Sequence, residues 1–121
     1  MSSSEEFLLH VEIARAAAKK TDSATVILDV GDVLSITGWF VITSGSSGRQ
    51  VRALAASIED DVALAGGPKP LRVEGLDSGT WVLVDYGDVI VHIFDDETRA
   101  FYDLERLWRD VPVLEWSVDP V

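Results

Sequence analysis

The segment Ser44-Gly45-Ser46-Ser47-Gly48 lies between a predicted strand and a predicted helix, where backbone amides can hold a phosphate group. A Walker A loop needs a lysine after its second glycine, and Arg49-Gln50 stands there instead. A nucleotidyltransferase would also need two nearby carboxylates on the next strand to hold Mg²⁺, and that strand offers Glu74 alone. The loop is therefore predicted to cap a helix or to touch a partner, with a nucleotide-binding or nucleotidyltransferase enzyme as the alternative function.

A set of acidic residues accompanies His92 later in the chain: Asp85, Asp88, Asp95, Asp96 and Glu97. Carboxylates beside a histidine can bind a divalent cation or exchange protons with a substrate. However, three of the acids stand where a helix should begin, and the other two flank a turn, positions that favour acids for local reasons. The second histidine, His10, is distant in the sequence and is expected on a helix surface. We therefore expect no catalytic residue, no metal site and no cofactor.

Residues 80–94, T-W-V-L-V-D-Y-G-D-V-I-V-H-I-F, predict a β-hairpin with a two-residue turn at Tyr86-Gly87. That turn would place Asp85 opposite Asp88, and Trp81 opposite His92. Because side chains alternate along a strand, the two faces can be listed. One is aliphatic and carries Val82, Val84, Val89, Val91 and Ile93. The other, called the mixed face, carries Trp81, Leu83, Asp85, Asp88, Ile90, His92 and Phe94.

The composition of the mixed face predicts a contact surface. Opposed like charges destabilise a strand pair by about 0.2–1 kcal/mol, and a covering helix of the same chain would have to desolvate both carboxylates. A basic protein would cover the apolar groups and pair with the acids. Tyr86, at the turn, is expected to be exposed and to anchor such a partner. The alternatives are a helix of the same chain or a second copy, which would form a homodimer.

The composition excludes several classes of partner. The formal net charge is −11, from 21 acidic against 10 basic residues, and the longest basic run is Lys19-Lys20. Because Lys and Arg supply most nucleic-acid affinity, we expect no direct extended nucleic-acid contact. No apolar run approaches the ~20 residues of a membrane span, and the first residues do not resemble a secretory signal. The absence of cysteine excludes disulfides and is compatible with the expected cytoplasmic location.

Hydrophobic periodicity predicts an α+β fold, a mixed sheet of about five strands flanked by helices. The predicted helices cover residues 4–20, 47–65 and 97–108, and the strands cover residues 24–30, 39–43, 71–73 and the two arms of the hairpin. One domain is expected over residues 1–109. Residues 110–121 show no periodicity and are expected to form a C-terminal tail.

Two stretches resemble the Iojap family, the ribosomal silencing factors: V-E-G-x-x-x-G-x-W-V-L-V-D-Y-G-D-V-I-V-H-I-F and, after it, R-x-F-Y-D-L-E-R-L-W. Upstream, F-V-I-T-S-G-S-S-x-R-Q-V resembles the family's second strand and the start of its helix. The resemblance covers about residues 5–109. One departure is Gly38-Trp39, where the family usually has an acidic residue followed by Tyr or Phe.

The resemblance implies a nucleotidyltransferase-like fold without transferase activity. It also implies a partner, the fourteenth protein of the large ribosomal subunit, on the face that meets the small subunit. Bound there, such proteins block subunit joining and lower translation when nutrients are scarce. For this chain we expect apolar anchoring by Trp81, Tyr86 and Tyr102, and contacts to basic side chains by Asp85, Asp88 and Glu105. His92 is expected to orient Trp81.

Overall fold

The computed structural model describes residues 7–117, which form a mixed β-sheet with helices against both faces. The helices are α1 (Leu9–Ala18), α2 (Gly48–Leu64), α3 (Asp96–Tyr102) and α4 (Leu104–Leu107). The strands are β1 (Val26–Asp29), β2 (Trp39–Gly45), β3 (Arg72–Glu74), β4 (Trp81–Asp85), β5 (Val89–Asp95) and β6 (Val113–Leu114). Their order in the sheet is β3-β4-β5-β2-β1-β6, and β2 runs parallel to β5 while the other neighbouring pairs are antiparallel. The predicted α+β class is confirmed, with six strands rather than about five.

Helices α1 and α2 cover the aliphatic face of the hairpin. The main core contains Val82, Val84, Val91 and Ile93 together with the buried sides of both helices. Three alanines of α1 are fully or almost fully buried, and their small side chains let the helix backbone approach its neighbours closely. This face of the sheet is therefore interior, as the alternation of the hairpin predicted.

Helix α2 confirms the helix predicted over residues 47–65, and its boundaries follow from local chemistry. Ser47 caps its first turn, since the Ser47 hydroxyl accepts a hydrogen bond from the Gln50 amide at 3.2 Å. The buried residues recur every three or four positions: Val51, Leu54, Ala55, Ile58 and Val62. After the helix, Gly66 adopts a φ of +87°, a left-handed conformation that glycine accepts without steric cost.

The opposite side of the sheet holds a second, smaller core. Leu28, Phe40, Ile42, Phe94 and Val111 are buried there, and Leu104 and Trp108 from the C-terminal segment pack against them. The helix predicted over residues 97–108 is in fact two short helices, because Asp103 adopts a left-handed φ of +49° between them. This broken segment covers only part of the mixed face.

The hairpin register differs from the prediction by two residues. Leu83 lies opposite His92 rather than Ile90, and Trp81 lies opposite Phe94 rather than His92. The cause is a turn displaced by one residue: a hydrogen bond from the Tyr86 amide to the Val89 carbonyl at 2.9 Å places the two-residue loop at Gly87-Asp88 rather than at Tyr86-Gly87. A shift of two keeps each side chain on its predicted face, but Asp88 leaves the ladder and no longer opposes Asp85.

The described part of the predicted tail belongs to the fold. β6 pairs with β1, and the Trp116 indole donates to the Thr25 carbonyl at 3.3 Å. Part of the predicted tail thus forms the edge of the sheet, and residues 118–121 lie outside the described part. The first predicted helix begins at Leu9, and its expected first residues, 4–6, also lie outside that part. Among the described residues, no helix combines the length and apolarity needed to cross a bilayer.

Candidate functional site

The mixed face is only partly covered by the chain itself. Leu104 and Trp108 pack over the Phe40 and Phe94 end, whereas Trp81 stays half-buried. The ring centroids of Trp81 and Tyr102 lie 4.9 Å apart, and Tyr102 is 51% exposed. Two of the three rings predicted as anchors are thus paired at the surface. This arrangement excludes complete coverage by a helix of the same chain.

Trp81 is fixed from below by aromatic and polar contacts. Its ring lies 4.9 Å from that of Phe94, centroid to centroid, and its indole N–H donates to Nδ1 of His92 at 3.2 Å. The expectation that His92 orients Trp81 fits this bond, although the two residues are diagonal neighbours rather than a direct pair. Burial lowers the pKa of His92 to about 4, so the imidazole is neutral near pH 7 and Nδ1 is available as an acceptor.

Asp85 is largely engaged inside the chain. One carboxylate oxygen accepts from the Gly87 amide at 2.8 Å, and the other accepts from Nε of Arg72 at 3.2 Å. Asp85 is 9% exposed, whereas the Arg72 side chain is mostly exposed and also lies 3.5 Å from a Glu74 oxygen. The predicted role of Asp85 toward a partner is thus restricted by its own hydrogen bonds.

Tyr86 is not exposed, and the expectation of an anchor at the turn tip is wrong. It is 7% exposed and belongs to the core beneath the helices, and it does not adopt a positive φ. Burial, with a smaller contribution from Glu59, raises the pKa of Tyr86 to about 12. An even-numbered residue after Val82 and Val84 continues the aliphatic side of the strand, which is where the ring lies.

Glu105 is held by Arg99. Nε and one terminal nitrogen of the guanidinium donate to the two carboxylate oxygens at 3.2 and 3.1 Å. The other terminal nitrogen donates to the Ala24 carbonyl at 2.6 Å and to the Ser44 hydroxyl at 3.0 Å. The predicted contact of Glu105 with a basic partner would therefore compete with an internal ion pair.

The Ser44–Gly48 loop has the geometry of a helix cap. The Gln50 side chain accepts from the Ser46 amide at 2.6 Å, while Ser47 caps the Gln50 amide, as in a capping box shifted by one residue. The Ser44 hydroxyl is occupied by Arg99. Asp95 likewise caps the Thr98 amide at 2.7 Å. Within residues 7–117, no cluster of three or more His, Asp or Glu side chains has the geometry of a metal site.

The comparison with known proteins decides the family. The model of a family described as "Ribosomal silencing factor during starvation" matches residues 2–120. The chain belongs to the ribosomal silencing factor family. Ribosomal silencing factor RsfS of Bacillus subtilis is 38% identical over 106 residues, covering 87% of this chain and 89% of that protein. RsfS of Halalkalibacterium halodurans is 38% identical over 112 residues, covering 93% and 94%.

A solved structure has a fold similar to that of this ribosomal silencing factor. A crystal structure of a protein from Bacillus halodurans gives a TM-score of 0.69 at 34% identity, covering 85% of this chain and 93% of that one. Membership in the family supports a ribosome-associated role in silencing translation. The match extends past Arg109, where the resemblance read from the sequence ends. The nucleotidyltransferase-like detail of the fold stays a prediction.

Gly38, where the resemblance read from the sequence predicted an acid, lies against Asp88. Its amide donates to the Asp88 carbonyl at 2.9 Å, and a Cβ at this position would lie 2.9 Å from a carboxylate oxygen of Asp88. With any side chain at this position the Asp88 carboxylate would have to turn aside, and an acidic side chain would also repel it. Gly38 therefore leaves room for Asp88, an exposed carboxylate beside the turn.

Trp39, the second departure, explains the position of His10. The two rings stack at 3.9 Å with an angle of 6° between their planes. Burial lowers the pKa of His10, and the nearby carboxylates of Asp88 and Asp29 oppose that shift. The expectation of a surface histidine is corrected, since a half-buried aromatic stack takes its place.

The exposure of several apolar side chains around the mixed face was not predicted from the sequence. Phe101 and Leu107 are 80% and 73% exposed next to Tyr102, because α3 and α4 turn Leu104 and Trp108 inward instead. On the β3 side, Ile36 and Leu71 are exposed at the rim of a groove of about 420 Å³. The sequence does contain one signal of this exposure: these segments have more apolar residues than the buried side of a short helix or strand can hold.

Proposed function

We propose that this ribosomal silencing factor represses translation by binding the large ribosomal subunit through the uncovered part of its mixed face. The partner would be the fourteenth protein of the large subunit, on the side that meets the small subunit. Occupation of that side blocks subunit joining sterically. The mechanism needs no covalent chemistry and no cofactor, and it operates in the cytoplasm, where subunits join.

The partly exposed Trp81–Tyr102 pair carries this proposal. The two rings lie side by side, with Trp81 half-buried and Tyr102 half-exposed. Aromatic side chains held from below and open above are typical energetic centres of protein interfaces. Exposed Phe101 and Leu107 extend the apolar area beside them. A patch of this kind is unfavourable in water and favours coverage by another protein.

The charge of the protein favours a basic partner. The net charge is −11, and Asp88 is an exposed carboxylate. Glu105 keeps 36% of its side chain exposed while paired with Arg99. A negative surface accelerates encounter with a basic protein and orients it, and the attraction weakens as salt rises. Of the predicted acids, Asp88 is the most exposed, at the turn end of the hairpin, whereas the buried Asp85 shapes the turn.

Co-sedimentation of the full chain with purified large subunits tests the proposal. We expect saturable binding that weakens through an increasing salt series. Tyr102→Ser should reduce binding without unfolding the protein, because the side chain is half-exposed. Leu64→Gln is a matched control, since Leu64 is 86% exposed at the end of α2, on the opposite side of the sheet. Its binding should equal that of the natural protein.

Two outcomes contradict the proposal. In the first, the natural protein stays in the supernatant at every salt concentration while the large subunits sediment. In the second, Tyr102→Ser and Leu64→Gln bind large subunits equally well.

Calorimetric titration with nucleotide and Mg²⁺ tests the enzyme alternative at the Ser44–Gly48 loop, where saturable heat would support it. Measuring the molecular mass of the free protein with and without Tyr102→Ser tests the homodimer.

A further inference from the structure

The C-terminal helices have few means of attachment to the rest of the protein. Neither α3 nor α4 contains a buried residue, and α3 has only seven residues. Leu104 and Trp108 are partly buried against the smaller core, and the ring of Tyr102 packs against that of Trp81. Short helices of this kind are not stable by themselves, so their direction depends on specific contacts.

Arg99 supplies the most extensive polar contact of this segment. Its side chain is 14% exposed and uses four hydrogen bonds toward three separate parts of the chain. They reach the Ala24 carbonyl before β1, the Ser44 hydroxyl in β2 and both carboxylate oxygens of Glu105 in α4. The planar guanidinium can make this set of contacts at once, and a lysine ammonium cannot.

The pair formed by Arg99 and Glu105 spans the break between the two helices. Asp103, at the break, has a φ of +49°, and its amide donates to the Arg99 carbonyl at 2.9 Å. Arg99 thus fixes the break through its backbone and its side chain together. Tyr102 is the residue immediately before the break, so the direction of its ring depends on how the break is held.

We infer that Arg99 is a positioning residue for ribosome binding: its bonds to Glu105, Ala24 and Ser44 hold the broken helix so that Tyr102 lies on Trp81. This inference rests on the proposed function. It assigns Glu105 an indirect role, in place of the direct contact with a basic partner that the sequence predicted. The cation that Glu105 meets is Arg99 of the same chain.

A double-mutant cycle separates the indirect role from the direct one. The variants are Arg99→Gln, Glu105→Gln and the double variant, measured against purified large subunits. Glu105→Gln should weaken binding about tenfold, and Arg99→Gln at least as much, because it also removes the bonds to Ala24 and Ser44. The double variant should bind about as weakly as Arg99→Gln alone, because Arg99→Gln has already broken the contact with Glu105. Asp60→Asn, a charge-matched change at an exposed position of α2, should leave binding unchanged.

Two further readouts distinguish positioning from loss of the fold. Thermal unfolding should remain cooperative in every variant. The nuclear Overhauser contacts between the rings of Trp81 and Tyr102 should weaken in Arg99→Gln and Glu105→Gln and persist in Asp60→Asn. Arg99→Lys should behave like Arg99→Gln. If Arg99→Gln unfolds, Glu105→Gln still tests the inference, since it leaves the bonds to Ala24 and Ser44 in place.

The inference is overturned if the two losses of affinity multiply, which indicates that Glu105 touches the ribosome directly. It is also overturned if Glu105→Gln binds normally, or loses affinity with its ring contacts intact. These results are distinct from failure of the proposed function, in which the natural protein itself does not bind large subunits.

Discussion

The indole N–H of Trp81 donates a hydrogen bond to Nδ1 of His92 at 3.2 Å, although the two residues are not directly opposite in the hairpin. The bond requires an unprotonated Nδ1, so the proton of the neutral ring sits on Nε2. Edge-on contact with Phe40, at 4.7 Å between ring centroids, packs the imidazole on another side. The most central aromatic ring of the proposed interface therefore depends on a histidine that stays neutral.

Stability should fall in mild acid because of His92. Burial lowers its pKa from 6.5 to about 4. Between these values the unfolded chain takes up a proton that the folded protein excludes, so the free energy of unfolding decreases as pH falls from about 6.5 to about 4. The loss is on the order of 3 kcal/mol when complete. Above pH 6.5 this group contributes no pH dependence.

Urea unfolding at several pH values, on the natural protein and on His92→Phe, isolates this contribution. Phenylalanine keeps a ring of similar size and cannot titrate. Carboxylates and His10 are present in both proteins, so their effects largely cancel in the difference. The stability difference between the two proteins should shift in favour of His92→Phe as the pH decreases through this range. A difference that stays constant from pH 7 to pH 4 would show that His92 is not neutralised by burial.

Substitution of Gly75 should disturb the proposed interface through the backbone. Gly75 has a φ of +90°, and a Cβ there would overlap the carbonyl oxygen of Trp81. Gly66 has a similar φ of +87° but open space around it, so Gly66→Ala measures the conformational cost alone, about 1 kcal/mol. Gly75→Ala should destabilise the protein by clearly more, because β3 or Trp81 must move. Chemical denaturation of both variants gives the comparison, and equal losses would contradict it.

The sequence predicted the two faces of the hairpin better than its register. Alternation alone assigns Val82, Val84 and Trp81 to their sides, and a shift of two residues leaves that assignment intact. The position of the two-residue turn depends on the Tyr86–Val89 hydrogen bond and on Asp85 accepting from Gly87, contacts that a pattern of apolar residues does not encode. The same alternation assigns Tyr86 to the aliphatic side, where the ring lies. The expectation of an exposed aromatic anchor at the turn tip was wrong.

Long-range contacts account for the other differences. The stack of His10 on Trp39 joins α1 to β2. Arg99 joins α3 to Ala24 and Ser44, which lie 75 and 55 positions earlier in the sequence. The strand β6 forms because Val113 and Leu114 pair with the edge of β1, and no local periodicity predicts that pairing. Such contacts depend on the order of strands in the sheet, and the order emerges from the packing of the whole chain.

The proposed repression is tested most directly by light scattering during the joining of large and small ribosomal subunits. The natural protein, added to large subunits first, should slow or prevent the rise in scattering, and Leu64→Gln should act identically. Tyr102→Ser should let the subunits join. Normal joining in the presence of saturating natural protein, under conditions where it co-sediments with large subunits, would contradict the account.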